Sequence, residues 1–306
     1  MDLAQLETFL AVAQERSFSR AATRLRRTQP AVSQVIGKLE GELGEVLFER
    51  SSRDGTLTDA GEVLKEYAQK MLNLRTEAGS ALTELRSLHR GRLAMAANEY
   101  TCLYLLPLLD QFRRENPRIK VTVQRSLASR IADEVLMHSV ELGVVSFRPE
   151  DPQVQSVVVY RDELAFVVNP RHPLARSSSV AIRQLGAQNF IAHHVPSPQR
   201  QKVIQAFERH KTQLQMGVEL PSLEAVKRFV QMGNGVALVP ALTVAAEVQS
   251  GALVRVTVKE LQFERQLRLV HRRQASLSHA ALAFLKVVEA YAAAHGDPYC
   301  FQTEQG

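Results

Sequence analysis

Long hydrophobic runs are missing from this chain of 306 residues. The longest largely apolar stretch, Val236 to Ala246, is interrupted by Pro240 and falls short of the ~18 residues a membrane-spanning helix needs, so no membrane partner is expected. Cysteine is scarce: Cys102 and Cys300 lie far apart and outside any CxxC pair. That excludes a disulfide framework and a cysteine-based zinc site, and it suits a reducing cytoplasm. No basic-then-apolar leader opens the sequence, because Asp2 and Glu7 interrupt it, and a cytoplasmic location is expected. Charge of one sign is in short supply as well. The 38 Lys+Arg set against 32 Asp+Glu leave +6, a bias that permits a polyanionic partner without demanding one. Catalytic signatures are absent: there is no GxSxG, no phosphate loop ending in GK[ST], no HExxH and no GxGxxG after a strand. No enzyme activity, no cofactor and no metal site are expected.

What is present suffices for two or three folded domains, with 45% hydrophobic and 23% charged residues, both at the globular average. The first sixty residues hold 8 Lys+Arg and 9 Asp+Glu, yet from Arg16 to Lys38 every charged residue is basic: Arg16, Arg20, Arg24, Arg26, Arg27 and Lys38. Such clustering marks a phosphate-facing patch. Leu3, Leu6, Phe9, Leu10 and Ala13 space an opening helix. A second helix starts after Ser17 or Ser19 as N-cap and buries Ala21, Ala22 and Leu25. A third starts after Thr28, has Pro30 in its tolerant first turn, and stops at Gly44. Its apolar stripe of Val32, Val35, Ile36, Leu39 and Leu43 leaves Gln29, Ser33, Gln34 and Gly37 on the opposite face, polar and uncharged. Asp54-Gly55 then centres a short hairpin that reads as a wing.

From Asp59 to about His89 a long helix is expected. Ala60, Leu64, Tyr67, Met71, Leu74, Ala78, Ala81, Leu85 and Leu88 follow one another at alternating steps of 4 and 3, a heptad seam that asks for a partner helix and hence a dimer. The alternative is an amphipathic helix packed on its own domain. Beyond Gly91 strands and helices alternate as a βαβαβ unit: Leu93 to Ala97, Leu103 to Phe112, Ile119 to Val123, Ile131 to Met137, Leu142 to Ser146. A second set has strands at Leu164 to Val168, Phe190 to Ala192, Val218 to Leu220, Val236 to Val239 and Leu253 to Val256. Helices Lys202 to His210, Leu223 to Met232 and Leu242 to Val248 are interleaved with them. Strand Gln266 to Val270 and helix Ala280 to Ala293 return to the first lobe, so two lobes share a cleft.

A helix-turn-helix with a wing places a helix end in the DNA major groove. Gln29, Ser33 and Gln34 suit base edges, while Arg50 and Arg53 in the wing suit phosphates, although short polar residues on a solvated helix face are also ordinary surface. In the second half, Asn98, Glu99, Tyr100 and Thr101 lie where the first strand ends and a helix begins, a place where backbone N–H groups attract small anions. Glu99 would oppose an anion there, and the alternative is a plain helix cap by Asn98 or Thr101. His193 and His194, near Ser197, follow a strand end and are ligand candidates or else solvated or locally bonded. The glycines of Met232 to Pro240 read as structural.

On FSRAATRL (Phe18 to Leu25), TQPAVSQVIGKLEGELGEVLFER (Thr28 to Arg50) and LTDAG (Leu57 to Gly61), the chain resembles the LysR-type transcriptional regulators. The resemblance continues through YLLPLLDQF (Tyr104 to Phe112), HPLA (His172 to Ala175) and GNGVALVP (Gly233 to Pro240), from Leu3 to roughly Ala293. It implies an α/β protein with an N-terminal winged helix-turn-helix, a long linker helix, and a two-lobed regulatory domain like a type 2 periplasmic binding protein. The expected divisions are 1–58 for DNA binding, 59–89 for the linker and dimerisation helix, 91–160 with 266–298 for one lobe, and 161–265 for the other.

By that likeness Gln29, Pro30, Ser33 and Gln34 read DNA, with Arg50, Arg53 and Thr58 towards the backbone; Arg27 and Lys38 of the basic cluster join them as expected DNA-binding residues. Relatives often carry Ser or Thr near residues 98–100 and 128, where this chain has Asn98, Glu99, Tyr100 and Ala128; Ser126, Ser129, Arg148, His193 and Ser197 are the substitutes expected in its effector site. The implied partners are promoter DNA, a small effector, RNA polymerase, and the chain itself as homodimer or homotetramer. The competing readings are a soluble small-molecule-binding protein and a cleft enzyme without DNA readout.

Overall fold

The structure, a computed structural model, describes residues 1–49, 55–86, 91–195, 197–274, 277–297 and 300–301. It divides into two compact units, one built on the first four helices and the other on everything from the first strand onward.

The first unit comprises α1 (Leu3–Glu15), α2 (Phe18–Leu25), α3 (Gln29–Leu43) and α4 (Asp59–Arg86). Each of the first three starts at a side chain that satisfies an orphan N–H. Asp2 accepts from Gln5 N at 2.8 Å, Ser17 from Arg20 N at 3.3 Å, and Thr28 from Ala31 N at 3.4 Å. α3 ends at Gly44 with φ 73°, as expected, whereas α2 ends at Arg26, a left-handed residue other than glycine with φ 54°. Leu6, Phe9, Val12, Ala21, Val32, Ile36 and Leu39 form the core, and Leu47 and Phe48 close it from below. The Phe48 ring sits 5.4 Å from Phe9 and 5.3 Å from Phe18, a three-ring cluster that anchors the segment after α3. Leu43 departs from the expected stripe: it is exposed in the last turn of α3.

Phe48 and Leu57 pair antiparallel, with Glu49 N donating to Thr56 O at 2.9 Å and Thr58 N to Leu47 O at 3.0 Å. This is the base of the expected hairpin; Arg50, Arg53 and Asp54 lie outside the described residues. The 28-residue α4 carries two apolar stripes. Ala60, Leu64, Ala68 and Leu72 pack on the core of their own unit, which corrects the expected seam at Ala60 and Leu64. Val63, Tyr67, Met71, Leu74 and Leu82 are exposed. Of the expected seam, Ala60 and Leu64 serve the inner face, while Tyr67, Met71 and Leu74 lie on the exposed one. Gly61 lies where α4 crosses the hairpin base, and a Cβ there would stand 2.2 Å from Leu47 O and 2.9 Å from Leu57 Cδ2.

In the second unit the order is β1 (Arg92–Ala97), α5 (Glu99–Glu115), β2 (Lys120–Arg125), α6 (Ile131–Leu136), β3 (Leu142–Val145), β4 (Val154–Val168), β5 (Ser179–Val180), β6 (Asn189–His193) and α7 (Pro198–Arg209). There follow β7 (Gln215–Leu220), α8 (Leu223–Gln231), β8 (Ala237–Pro240), α9 (Ala245–Gln249), β9 (Val254–Val258), β10 (Glu264–Arg272) and α10 (His279–His295). The first lobe is the sheet β2-β1-β3-β10-β4, with β1 parallel to β2 and β3 and β10 antiparallel to its two neighbours. One face packs α5 and α10 through Leu105, Leu108, Phe112 and Phe284; the other packs α6 through Ile131 and Val135. In the second lobe β8 and β9 pair with the far half of β4, and β6 pairs with β7. Phe190 and Phe207 fill one of its cores, and Ile191, Val226 and Val239 another. Gly235, at φ 152°, passes so close to Asn189 O that a Cβ would stand 2.4 Å from it, in keeping with the structural reading of that segment.

β4 runs through both lobes. It pairs with β10 from Val154↔Arg272 to Glu163↔Glu264 and then continues into the second lobe against β8 and β9. The sequence reading places a strand at Leu164 to Val168 and misses Val154 to Glu163, because Arg161-Asp162-Glu163 looks like a polar loop. Instead Asp162 faces its register partner Arg265, Oδ2 to Nη1 at 2.8 Å, with side chains 2% and 3% exposed. Burial pushes the Asp162 carboxyl up against the pull of Arg265.

Two outcomes follow. Gly61→Ala should destabilise the first unit by about 1–3 kcal/mol, since the clash is with a backbone carbonyl that cannot rotate away, and thermal melts of the full chain will read it. Arg265→Met should cost about 3–5 kcal/mol by stranding the Asp162 charge, while Arg265→Met with Asp162→Leu should regain most of that loss in urea titrations.

Candidate functional sites

In the first unit the N-terminal turn of α3 presents Gln29, Pro30 and Gln34, all exposed, with Ser33 half-buried beside them. Their orientation follows from the cap: Thr28 fixes the start of the helix, and Val32, Ile36 and Leu39 turn the opposite face inward. Gln29 Nε2 donates to Ser33 Oγ at 2.9 Å, so these two polar groups are positioned as a pair. Arg27 and Lys38 are exposed, and Lys38 has Glu42 3.9 Å away. The basic patch is thinner than its sequence. Arg24 Nη1 reaches Glu15 Oε1 at 3.1 Å and Arg20 donates to Glu15 O, whereas Arg16, Arg26 and Arg27 are exposed. Thr58 is committed elsewhere: its hydroxyl donates to Val46 O at 2.6 Å and accepts from Gly61 N at 3.1 Å, capping α4. Arg50 and Arg53 lie outside the described residues.

In the second unit the expected effector residues separate into two groups. Asn98 caps α5, accepting from Tyr100 N at 3.0 Å and Thr101 N at 2.8 Å. Thr101 is 0% exposed and its hydroxyl reaches Val144 O at 3.1 Å, so it presents nothing to a ligand. Ser197 caps α7 by accepting from Arg200 N at 3.2 Å. Ser126 donates to Glu134 Oε1 at 2.6 Å, and Ser129 and Arg148 are exposed. The alternative weighed for Asn98, a plain helix cap, is the arrangement found.

Glu99, Tyr100, His193 and His194 do come together. Glu99 Oε1 accepts from Leu223 N at 2.7 Å, and its Oε2 lies 3.4 Å from His193 Nε2. The Tyr100 ring meets His193 edge-on at 5.5 Å, and the two imidazoles stack at 5.0 Å. His193 Nδ1 accepts from Val195 N at 3.1 Å, which assigns the proton of the neutral ring to Nε2, facing Glu99. Burial pulls the His193 pKa down, with Glu99 opposing, and burial raises the Tyr100 phenol, with the Glu99 charge adding. Tyr100 and Leu103 pack on the second-lobe core beside Leu223 and Val226. Sequence reasoning missed Leu223 and Arg200. Arg200 donates to His193 O at 3.2 Å and pairs with Glu219, holding the histidine strand end. Neither carries a motif. Among the described residues no three His, Cys, Asp or Glu side chains gather as metal ligands, and no helix is long and apolar enough to cross a membrane.

Comparison with known proteins places these two arrangements. Residues 3–62 match the model of the bacterial regulatory helix-turn-helix protein, lysR family, and residues 86–293 match the LysR substrate binding domain. A probable RuBisCO transcriptional regulator of Synechocystis sp. is 32% identical over 302 residues, spanning 96% of this chain and 88% of that protein. The RuBisCO operon transcriptional regulator of Allochromatium vinosum is 30% identical over 297 residues, 96% of this chain and 97% of that one. Among solved structures, full-length CbnR complexed with its target DNA has a TM-score of 0.73 at 23% identity, covering 95% of this chain and 99% of its own. The regulatory domain of Synechocystis PCC6803 CcmR in complex with 2-PG has a TM-score of 0.60 at 24% identity, covering 65% of this chain and 96% of its own. With its helix-turn-helix and its two-lobed unit both matched, the chain belongs to the LysR family of bacterial transcriptional regulators.

Proposed function

We propose that this regulator docks the exposed first turn of α3 in the major groove of promoter DNA and adjusts its grip to a small molecule held between the lobes of the second unit. The observation that carries this reading is the Gln29, Ser33, Gln34 constellation: polar, uncharged, clear of the core, and set by a cap at a helix N-terminus. Amide and hydroxyl groups there can read base edges, while Arg27 and Lys38 supply charge for phosphates. The division of labour follows the expected limits, with residues 1–58 binding DNA, 59–89 linking, and 91–160 with 266–298 facing 161–265 across the effector cleft.

The exposed stripe Val63, Tyr67, Met71 and Leu74 on α4 supports a second copy of the chain as its cover, giving a homodimer or a tetramer of two such pairs. A two-fold pair of recognition helices calls for an interrupted dyad in the DNA. Ligand control works by differential affinity: a molecule that prefers one lobe arrangement shifts the population of dimer geometries that fit the operator. The protein acts in the cytoplasm, with RNA polymerase as its downstream partner, and performs no catalysis of its own. The RuBisCO operon named for its relatives is the first promoter to try, and 2-PG, bound by the CcmR regulatory domain, the first ligand.

Ser33→Ala and Gln34→Ala should each weaken specific binding by about 1–3 kcal/mol and leave non-specific binding unchanged in fluorescence anisotropy titrations. Because Ser33 positions Gln29, the double variant Gln29→Ala with Ser33→Ala should lose less than the sum of the single losses. Arg27→Ala should weaken binding to every sequence and lower the salt slope by about one. Retained operator preference in the Ser33 and Gln34 variants would refute the assignment of α3. Leu74→Glu should convert the dimer to monomer in light scattering.

A further inference from the structure

We propose that Glu99 is a tethered counter-anion that straps the two lobes together and occupies, from within the chain, the donors an acidic ligand would need. The proposal rests on the reading of the interlobe cleft as the effector site. Glu99 stands at the start of α5 in the first lobe, yet both of its oxygens are turned to the second. Oε1 accepts the N–H of Leu223, the first residue of α8, at 2.7 Å across 124 residues of sequence. Oε2 lies 3.4 Å from the Nε2 of His193, and both of those atoms are buried and make no hydrogen bond.

Four features make the contact a device rather than a chance approach. Ser222 satisfies a different N–H of α8, that of Ala225, at 3.2 Å, so the donor taken by Glu99 is one its own cap leaves over. The N-terminal end of a helix carries partial positive charge, which favours a carboxylate over a neutral group. His193 is held to its tautomer by Val195 N and to its place by Arg200, so its remaining N–H stays beside Glu99 independently of any ligand. Tyr100 and Leu103 follow Glu99 into the second-lobe core, and the carboxylate is thereby delivered with an apolar plug beside it.

The consequence is a specificity rule. A small carboxylate or phosphate entering this cleft meets occupied donors and a fixed negative charge, and it must displace Glu99 to bind. Ligand binding and release of the strap are then a single exchange of one acid for another, which couples occupancy to the contact between lobes.

Chemical rescue in the full chain tests this. In Glu99→Ala the amide of Leu223 should exchange hydrogen about tenfold faster than in the wild type. Acetate should restore its protection and raise the melting temperature, with chloride at matched ionic strength as control. Acetate should do neither in the wild type, whose carboxylate already holds that amide. Unchanged exchange at Leu223, or an equal response of both proteins to acetate, overturns the strap. Should Glu99→Ala fail to fold, Glu99→Gln decides alone: it should bind 2-PG about tenfold tighter than the wild type, and equal or weaker binding overturns the proposal. Absence of 2-PG binding in every folded variant, with acetate rescue intact, would instead defeat that ligand assignment and keep the strap.

Discussion

The two lobes of the second unit share one long strand, β4, which β10 holds in the first lobe and β8 and β9 hold in the second. β4 and β10 stay paired from Val154↔Arg272 to Glu163↔Glu264, and everything in the second lobe is attached beyond that ladder. The register is enforced at one point by Asp162 opposite Arg265, a buried pair that a slip of one residue would turn to the wrong face. A charge pair in that position adds little net stability against an apolar alternative, but breaking it is costly, so it acts chiefly as a constraint on alignment.

Against that constraint, the cleft contacts decide which arrangement is populated. Tyr100 and Leu103 pack from the first lobe onto the second, and Glu99 adds a charged bond to the start of α8. On the proposed effector reading, a ligand shifts the balance between lobe arrangements only by as much as its affinity differs between them. In the first unit the equivalent constraint is steric: Gly61 lets α4 pass against the carbonyl of Leu47, and Thr58 ties the helix start to Val46. The long helix and α3 thus belong to one compact unit.

Much of this was legible in the sequence. Thr28, Pro30 and Gly44 bracket α3 because caps and left-handed stops are local chemistry, written within a few residues of where they act. The same locality exposed Gln29, Ser33 and Gln34 as the outward face. The heptad count found the length of α4 but merged its inner and outer stripes, since a 3.5-residue period cannot say which neighbour covers a residue. β4 was read short because three charged residues imitate a loop until Arg265, 103 residues away, supplies the partner. Glu99 was recognised as hostile to an anion, but its real partner is a backbone N–H, which has no letter in a sequence. Asn98, Thr101 and Ser197 have the side chains of a ligand site and are used as caps and core, a choice made by neighbours that only folding brings together.

The central claim is that this chain recognises a particular DNA sequence through α3. The most direct test is to incubate the purified protein with sheared genomic DNA from its source, recover the bound fragments at moderate salt and sequence them. The account predicts enrichment of an interrupted dyad beside a metabolic operon. Recovery of fragments without any shared sequence would contradict it.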